Sequence, residues 1–415
     1  MKKRLKKQLS TALLGLSLSS FGFNTLAQAE TLRVDLPQAL QAAQHNYDSQ
    51  GQQWQVASQQ AGIEQARQAP NPTVQLSFEN LPSLTGDAGE INMLWQQGVN
   101  LAQNAQIALA EHSYATSRYG FQLQQLTLQR DVTQAFYALL MWQAYHDSLK
   151  RLAQVSAQRV ELLQTQYNQG KALRAEYNRA RLAQSELALQ QQTSTLQWRN
   201  AQRQLAQYLN RPQDLVAEGE LVVPLSTGPL GLSESVVQAR LQQHPLLQQA
   251  SAQQQQAHKN KAVQEALAWQ SPSWGVGLRL TPSAADVGAL AQVNVPLPVW
   301  HQNQGAIAVS QYQHKQAETQ VQNTAFSLNN RWQNQVAQYQ QVRANLDIYQ
   351  QQLLPLAREN VKLSQTAYQY GKQSYLELLD AQRSLIALEQ SYLQSWGQYH
   401  QLRAELAFLL SGPVP

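Results

Sequence analysis

The chain has 415 residues, 43% of them hydrophobic and only 14% charged, with no cysteine, which excludes disulfides, thiolate metal sites and a lipid-modified N-terminal cysteine. Its polarity comes from amides, since 73 residues are glutamine. The net charge of +5 is matched by Lys2, Lys3, Arg4, Lys6 and Lys7, which precede the first acid at Glu30, so the chain beyond them is neutral and lacks the basic surplus of a nucleic-acid binder.

Those five charges open a secretory signal. An apolar, serine-diluted stretch from Leu9 to Phe23 follows, and Ala27-Gln28-Ala29 offers the small residues that a signal peptidase reads, so residues 1–29 read as a signal peptide and the mature chain starts at Glu30. Leu13 to Phe23 is too short for a spanning helix, and no later window reaches about 18 apolar residues.

The mature chain reads as two similar halves, 30–231 and 232–415. At an offset of 201, Gln164-Thr165-x-Tyr167-x-x-Gly170-Lys171 recurs as Gln365-Thr366-x-Tyr368-x-x-Gly371-Lys372, and at an offset of 200 Ile107-Ala108 recurs as Ile307-Ala308. In the first half, Leu36, Leu40 and Ala43 and then residues 48–68 read as helix, ended by Pro70 and Pro72. Strict alternation predicts strands at about 72–80 and 90–101: Val74, Leu76 and Phe78, and Ile91, Met93 and Trp95, face one way, and Gln75, Glu79 and Asn92 the other. A helix over 103–168 contains no proline and one internal glycine, Gly120; at about 1.5 Å per residue it extends roughly 100 Å. A Gly-Lys turn leads to a return helix over 175–209, and a linker over 210–231 carries Pro212, Gly219, Pro224, Gly228, Pro229 and Gly231.

The second half repeats the order. Leu232 to Gln243 and Leu246 to Trp269 read as helices, with Pro245 at a helix start; strands follow at 273–281 and 286–297, where Trp274, Val276, Leu278 and Leu280 alternate with Arg279 and small residues, and Val287 to Leu297 alternate with Gly288, Gln292 and Asn294. The long helix spans 303–369, interrupted at Pro355, and a return helix spans 375–410. Gly170 and Gly371 stand where left-handed helix caps are wanted, and Ser374-x-x-Glu377 reads as a capping box.

Strands of about ten residues, apolar on one face and polar or small on the other, fit the spanning strands of an outer-membrane barrel, whereas four of them cannot close, so copies must combine. Two other readings stay open: a soluble α+β protein with surface hairpins, and a periplasmic structural or adhesive coiled-coil protein that transports nothing. A helix near 100 Å is too long to bury in one globule, which weighs against the first.

These features together resemble the TolC-type outer membrane efflux family over nearly the whole mature chain: the signal, the duplicated halves, Ala69-Pro70-Asn71-Pro72 before the first strand, and the two Tyr-x-x-Gly turns. The stretch from Val295 to Gly305 is similar to the strand-to-helix passage of the CzcC-like heavy-metal branch, with Gln302 where that branch has arginine. The resemblance implies a mainly α fold with a small β part, and a homotrimer whose three copies of four strands form a twelve-stranded barrel continuous with a periplasmic helical tunnel. It further implies the outer membrane of a Gram-negative bacterium as location, contact with outer-membrane lipid, and a periplasmic adaptor (membrane fusion) protein and an inner-membrane resistance-nodulation-division type pump as partners. The implied role is a passive exit duct, not an enzyme, without a cofactor.

For residue roles, the resemblance places adaptor docking at Gln169, Gly170, Lys171, Tyr370, Gly371 and Lys372, and a periplasmic constriction at Asp380 and Glu377. Glu377 is also the capping-box acid, and Asp380 is placed to pair with Arg383 at i,i+3. The polar strand positions Gln75, Glu79, Asn92, Arg279 and Asn294 are expected in the barrel lumen. No catalytic constellation appears, and the eight scattered histidines form no His-x-x-x-His pair, so no metal site is expected. Gly275-Val276-Gly277 lies in a strand without the following helix of a nucleotide fingerprint, and reads as small-residue packing.

Overall fold

A computed structural model describes residues 32–79, 89–211, 214–221, 232–281 and 286–412. The expected signal peptide, with its cleavage position, and Pro212, Pro224, Gly228, Pro229 and Gly231 of the expected linker lie outside the described residues.

The first half runs β1 (Leu32–Val34), α1 (Leu36–Ala43), α2 (Tyr47–Arg67), β2 (Thr73–Glu79), β3 (Glu90–Gly98), α3 (Gln103–Asn168), α4 (Arg174–Tyr208) and β4 (Leu215–Ala217). The second runs α5 (Glu234–Gln242), α6 (Pro245–Ala266), β5 (Ser273–Thr281), β6 (Asp286–Asn294), α7 (Gln304–Ile348), a π-helical turn (Tyr349–Leu353), α8 (Leu354–Gln369) and α9 (Tyr375–Leu409).

Each boundary has a local cause. Asp35 caps α1 by accepting from the Gln38 amide (2.8 Å), and Asn46 opens α2 by accepting from Ser49 (2.7 Å), which splits the first helical stretch in two. The 66 residues of α3 contain no proline, and their length is sustained by burial. Val132, Ala135, Phe136, Leu139 and Leu140 lie at i, i+3, i+4, i+7 and i+8, a stripe that one helix face presents to its neighbours. Pro355 sits in the first turn of α8, and the wide turn just before it accommodates a residue that lacks an N–H and crowds the carbonyl four residues back, so the long second-half helix continues through the proline.

The main core lies midway along the helices. Phe136, Leu139, Leu205, Leu346, Trp396, Tyr399, Leu406 and Leu409 are buried there together, drawn from α3, α4, α7 and α9, and α1, α5 and the β1–β4 pair seal its rim. That pair is parallel, Leu32 opposite Leu215 and Val34 opposite Ala217, and it escapes the sequence reading because three residues are too few to show a period.

The second sheet is antiparallel throughout, in the order β2-β3-β5-β6, so the two hairpins join through β3 and β5. Its outer strands, β2 and β6, have no further partner among the described residues.

Candidate channel wall and periplasmic tips

Directly paired residues in an antiparallel sheet share a face. The register therefore sorts the sheet completely. Val74, Trp95, Val276 and Ala291 form one row across the four strands, and Leu76, Met93, Leu278 and Ala289 the next; this face is apolar and largely open to its surroundings, Val293 being 74% exposed. The opposite face carries all five polar strand positions named from the sequence. Asn92 donates to Glu79 (3.2 Å), Arg279 donates to the Asn92 side-chain oxygen (3.3 Å) and lies 3.6 Å from Glu90, Asn294 pairs with Ser273, and Gln75 pairs with Leu94. Leu94 and Leu290 interrupt the polar pattern. Leu94 is buried over Gly275 and Gly277, where an added Cβ would sit 3.2 Å from the Leu94 side chain and 2.9 Å from its Cα, so the Gly-x-Gly pattern is a packing requirement.

The apolar face ends in aromatics on the side where the helices begin. Trp95 and Trp274 meet edge to face at 5.3 Å, and Trp269 and Trp300 stand just beyond the strands, Trp300 being 90% exposed. Indole rings with an apolar body and one N–H suit the headgroup layer of a bilayer. Here the chain passes from strand to helix through Asn303, whose backbone is left-handed (φ 57°) and whose side-chain amide donates to the Gln264 carbonyl (2.8 Å). Gln302 donates to the Pro298 carbonyl (3.2 Å), closing the same passage.

At the far end of the helices are the two turns. Gly170 and Gly371 adopt φ of 71° and 69°, the amides of Lys171 and Lys372 each reach back to a carbonyl five residues earlier (both 2.8 Å), and both turns are Schellman caps. Gln169, Lys171, Tyr370 and Lys372 are exposed around them. The turns differ in how the next helix starts. Ser374 and Glu377 complete the capping box, the Ser374 amide donating to Glu377 (2.8 Å), whereas Leu173 occupies the corresponding place in the first half and offers no side-chain cap.

The two tips are tied sideways. Leu163, Ala180, Ala183, Tyr375, Leu378 and Leu379 form a small buried cluster, and Arg383 donates to Glu186 across α9 and α4 (2.7 Å). That contact corrects one expectation: Arg383 is held by Glu186, not by Asp380, because the packed helix offers it a carboxylate across the interface. Asp380 is exposed and has no ion pair among the described residues.

Sequence reasoning missed a polar cluster inside the main core. Glu405 bridges Arg331 (2.6 Å) and Arg130 (3.6 Å), and both guanidiniums lie over the Phe408 ring, so α3, α7 and α9 are clamped at one point. The signal was present as one acid in the apolar end of α9, Ala404-Glu405-Leu406-Ala407-Phe408. His400 stacks on Tyr137 at 3.8 Å, and burial, with the Arg403 charge adding to it, pushes its pKa down to about 3. His244 caps α6 and bonds the Phe408 carbonyl (3.1 Å); burial lowers its pKa despite that bond.

A sheet with an open apolar face and an aromatic margin, continuous with helices far longer than a globule, has the features of one wall segment of a membrane barrel. Residues 236–412 match the family described as outer membrane efflux protein. It is 24% identical over 373 residues to the cobalt-zinc-cadmium resistance protein CzcC of Cupriavidus metallidurans, covering 87% of this chain and 85% of that protein. Among solved structures, its fold is similar to that of CusC (TM-score 0.76, 16% identity, 94% of this chain and 96% of that one). It is also similar to VceC from Vibrio cholerae (0.74, 15%, 92% and 97%) and to the open state of the Neisseria gonorrhoeae MtrE outer membrane channel (0.72, 16%, 91% and 89%).

Proposed function

We propose that this chain is one subunit of a homotrimeric exit duct in a tripartite efflux pump, conducting substrates passively from a periplasmic adaptor and an inner-membrane pump to the outside. The observation that carries this reading is the four-stranded sheet. It exposes an apolar face and leaves β2 and β6 unpaired among the described residues, a state lipid does not tolerate and which edge-to-edge closure of three copies removes. In that arrangement Gln75, Glu79, Asn92, Arg279 and Asn294 line the lumen, the turns at Gln169–Lys171 and Tyr370–Lys372 meet the adaptor, and Asp380 contributes to a constriction, with Glu377 held back by its cap. The cargo class we propose is divalent metal cations, supported by the likeness to a cobalt-zinc-cadmium resistance protein.

Mass measurement in detergent is expected to give three chains per particle, with stepwise conductance after reconstitution into a planar bilayer. A monomer or dimer that conducts nothing refutes the duct and favours a periplasmic coiled-coil protein. For the cargo, deletion in the native host is expected to raise sensitivity to cobalt, zinc or cadmium, and unchanged metal tolerance refutes the cation assignment.

A further inference from the structure

The eight histidines look scattered in the sequence, yet the fold brings two of them together. His258 lies midway along α6 and His314 near the start of α7, and their ring centroids are 5.2 Å apart with the planes inclined at 54°. His258 is exposed and His314 is half-buried, so solvent reaches the pair.

That spacing has a chemical meaning. A metal–nitrogen bond of about 2.0–2.1 Å, added to about 1.1 Å from a ring nitrogen to the ring centre, puts each centroid about 3.2 Å from a shared ion; at a tetrahedral angle the two centroids then stand about 5.2 Å apart. The separation seen, 5.2 Å, matches that of two imidazoles sharing one ion. Each ring hangs from its own long helix, and α6 and α7 pack against each other along their length, so the two imidazoles are presented with little further ordering to be done. Lys261, one turn beyond His258, is drawn to Glu265 (3.4 Å). The duplication does not account for the pair, because the positions 200 residues earlier are Ser58 and Tyr114.

We propose that His258 and His314 form a two-imidazole site for a borderline divalent transition-metal cation, of the zinc, nickel or copper kind, on the helical wall below the sheet. His314 is ten residues into α7, about 15 Å along the axis from the strand-to-helix passage, and His258 is exposed, so the site is open to water. No third protein ligand joins the pair, since no group of three or more metal-binding side chains occurs among the described residues. Water fills the remaining positions, and such an open site exchanges its ion readily, unlike a closed four-ligand structural site. The proposal does not depend on the duct reading, because binding is measured on the protein whether or not it conducts.

The test uses the full mature protein in detergent, with Zn2+ and Cu2+ as the probes. Calorimetric titration is expected to show one site per chain, weakened at least about tenfold in His258→Ala and in His314→Ala, and left intact in His112→Ala. In the Cu2+ EPR spectrum, the wild type is expected to show two coordinated imidazole nitrogens and each single variant one. Wild-type affinity no higher than that of the His258→Ala/His314→Ala double variant overturns the proposal. So does a spectrum that neither single variant alters.

Discussion

The seam between the two hairpins gives a sharp test of the sheet, because among the described residues the β3–β5 ladder is what joins one hairpin to the other within the sheet. Gly277 lies in the middle of that ladder opposite Leu94, and a Cβ there meets the Met93 carbonyl oxygen and sits 2.9 Å from Leu94 Cα. Both obstacles are backbone, so no rotamer change relieves them. Gly277→Val is therefore expected to cost about 1–3 kcal/mol per chain as overpacking, and more where the ladder has to part to admit it. In a closed trimer the seam occurs three times, so the cost per particle is about three times as large when the sites are independent. Gly288→Ala is the matched control, since its nearest neighbour, Arg279 Cβ, is 3.9 Å away. Seminative electrophoresis and a thermal ramp in detergent, followed by planar-bilayer recording, should show Gly277→Val losing oligomer and conductance while Gly288→Ala keeps both. A Gly277→Val protein with wild-type melting and conductance refutes the register, and with it the assignment of faces.

Three further outcomes follow from the site. Asp380→Asn is expected to weaken cation selectivity and multivalent-cation block in single-channel recordings, with Glu377→Gln acting less on both, and an unchanged block removes Asp380 from the constriction. Glu405→Ala takes the carboxylate from Arg331, while Arg130 keeps Asp131 (2.8 Å); a fully buried pair broken in this way costs about 3–5 kcal/mol, and since Arg331 is 44% exposed and Arg130 retains a partner the expected loss is about 1–2 kcal/mol, read as a lower denaturant midpoint, while no shift refutes the clamp. Because the His400 pKa is depressed to about 3, the unfolded chain takes up the proton first as pH falls, so stability is full above about pH 6.5 and declines between there and about pH 3. At pH 5 the loss is up to about 2 kcal/mol, and His400→Phe should flatten part of the profile measured by denaturant titration; an identical profile in the variant assigns the acid sensitivity elsewhere.

Much of this architecture was legible because it is periodic. The alternation in β2, β3, β5 and β6 survives one-residue scrutiny, since a slip would turn Val74, Trp95 and Val276 to the polar face. The long helices were legible from the scarcity of proline and glycine along them, and their ends from Gly170, Gly371 and the Ser374–Glu377 box. What stayed hidden is what three-dimensional packing decides. Arg383 is claimed by Glu186, almost two hundred positions away, although Asp380 is three residues off. The Glu405 clamp and the His258–His314 pair likewise join different helices, and no spacing along the chain encodes them. Pro355 announced an interruption, but whether a helix breaks or widens by one residue depends on neighbours holding both sides in line.

The parallel pair of β1 and β4 has a bearing on how the molecule is made. Leu32 lies early in the chain, and its partner is Leu215, so this closure waits until the first pair of hairpin strands, α3 and α4 have all been delivered. Contacts so distant along the chain carry a large entropic toll and form late. A segment made early is thus one of the last to find its place, and until then α1 has no lid against the helix pair it finally covers. A bulky fusion placed just before Leu32 would sit halfway down the helices, beside the very contact that registers completion of the first half.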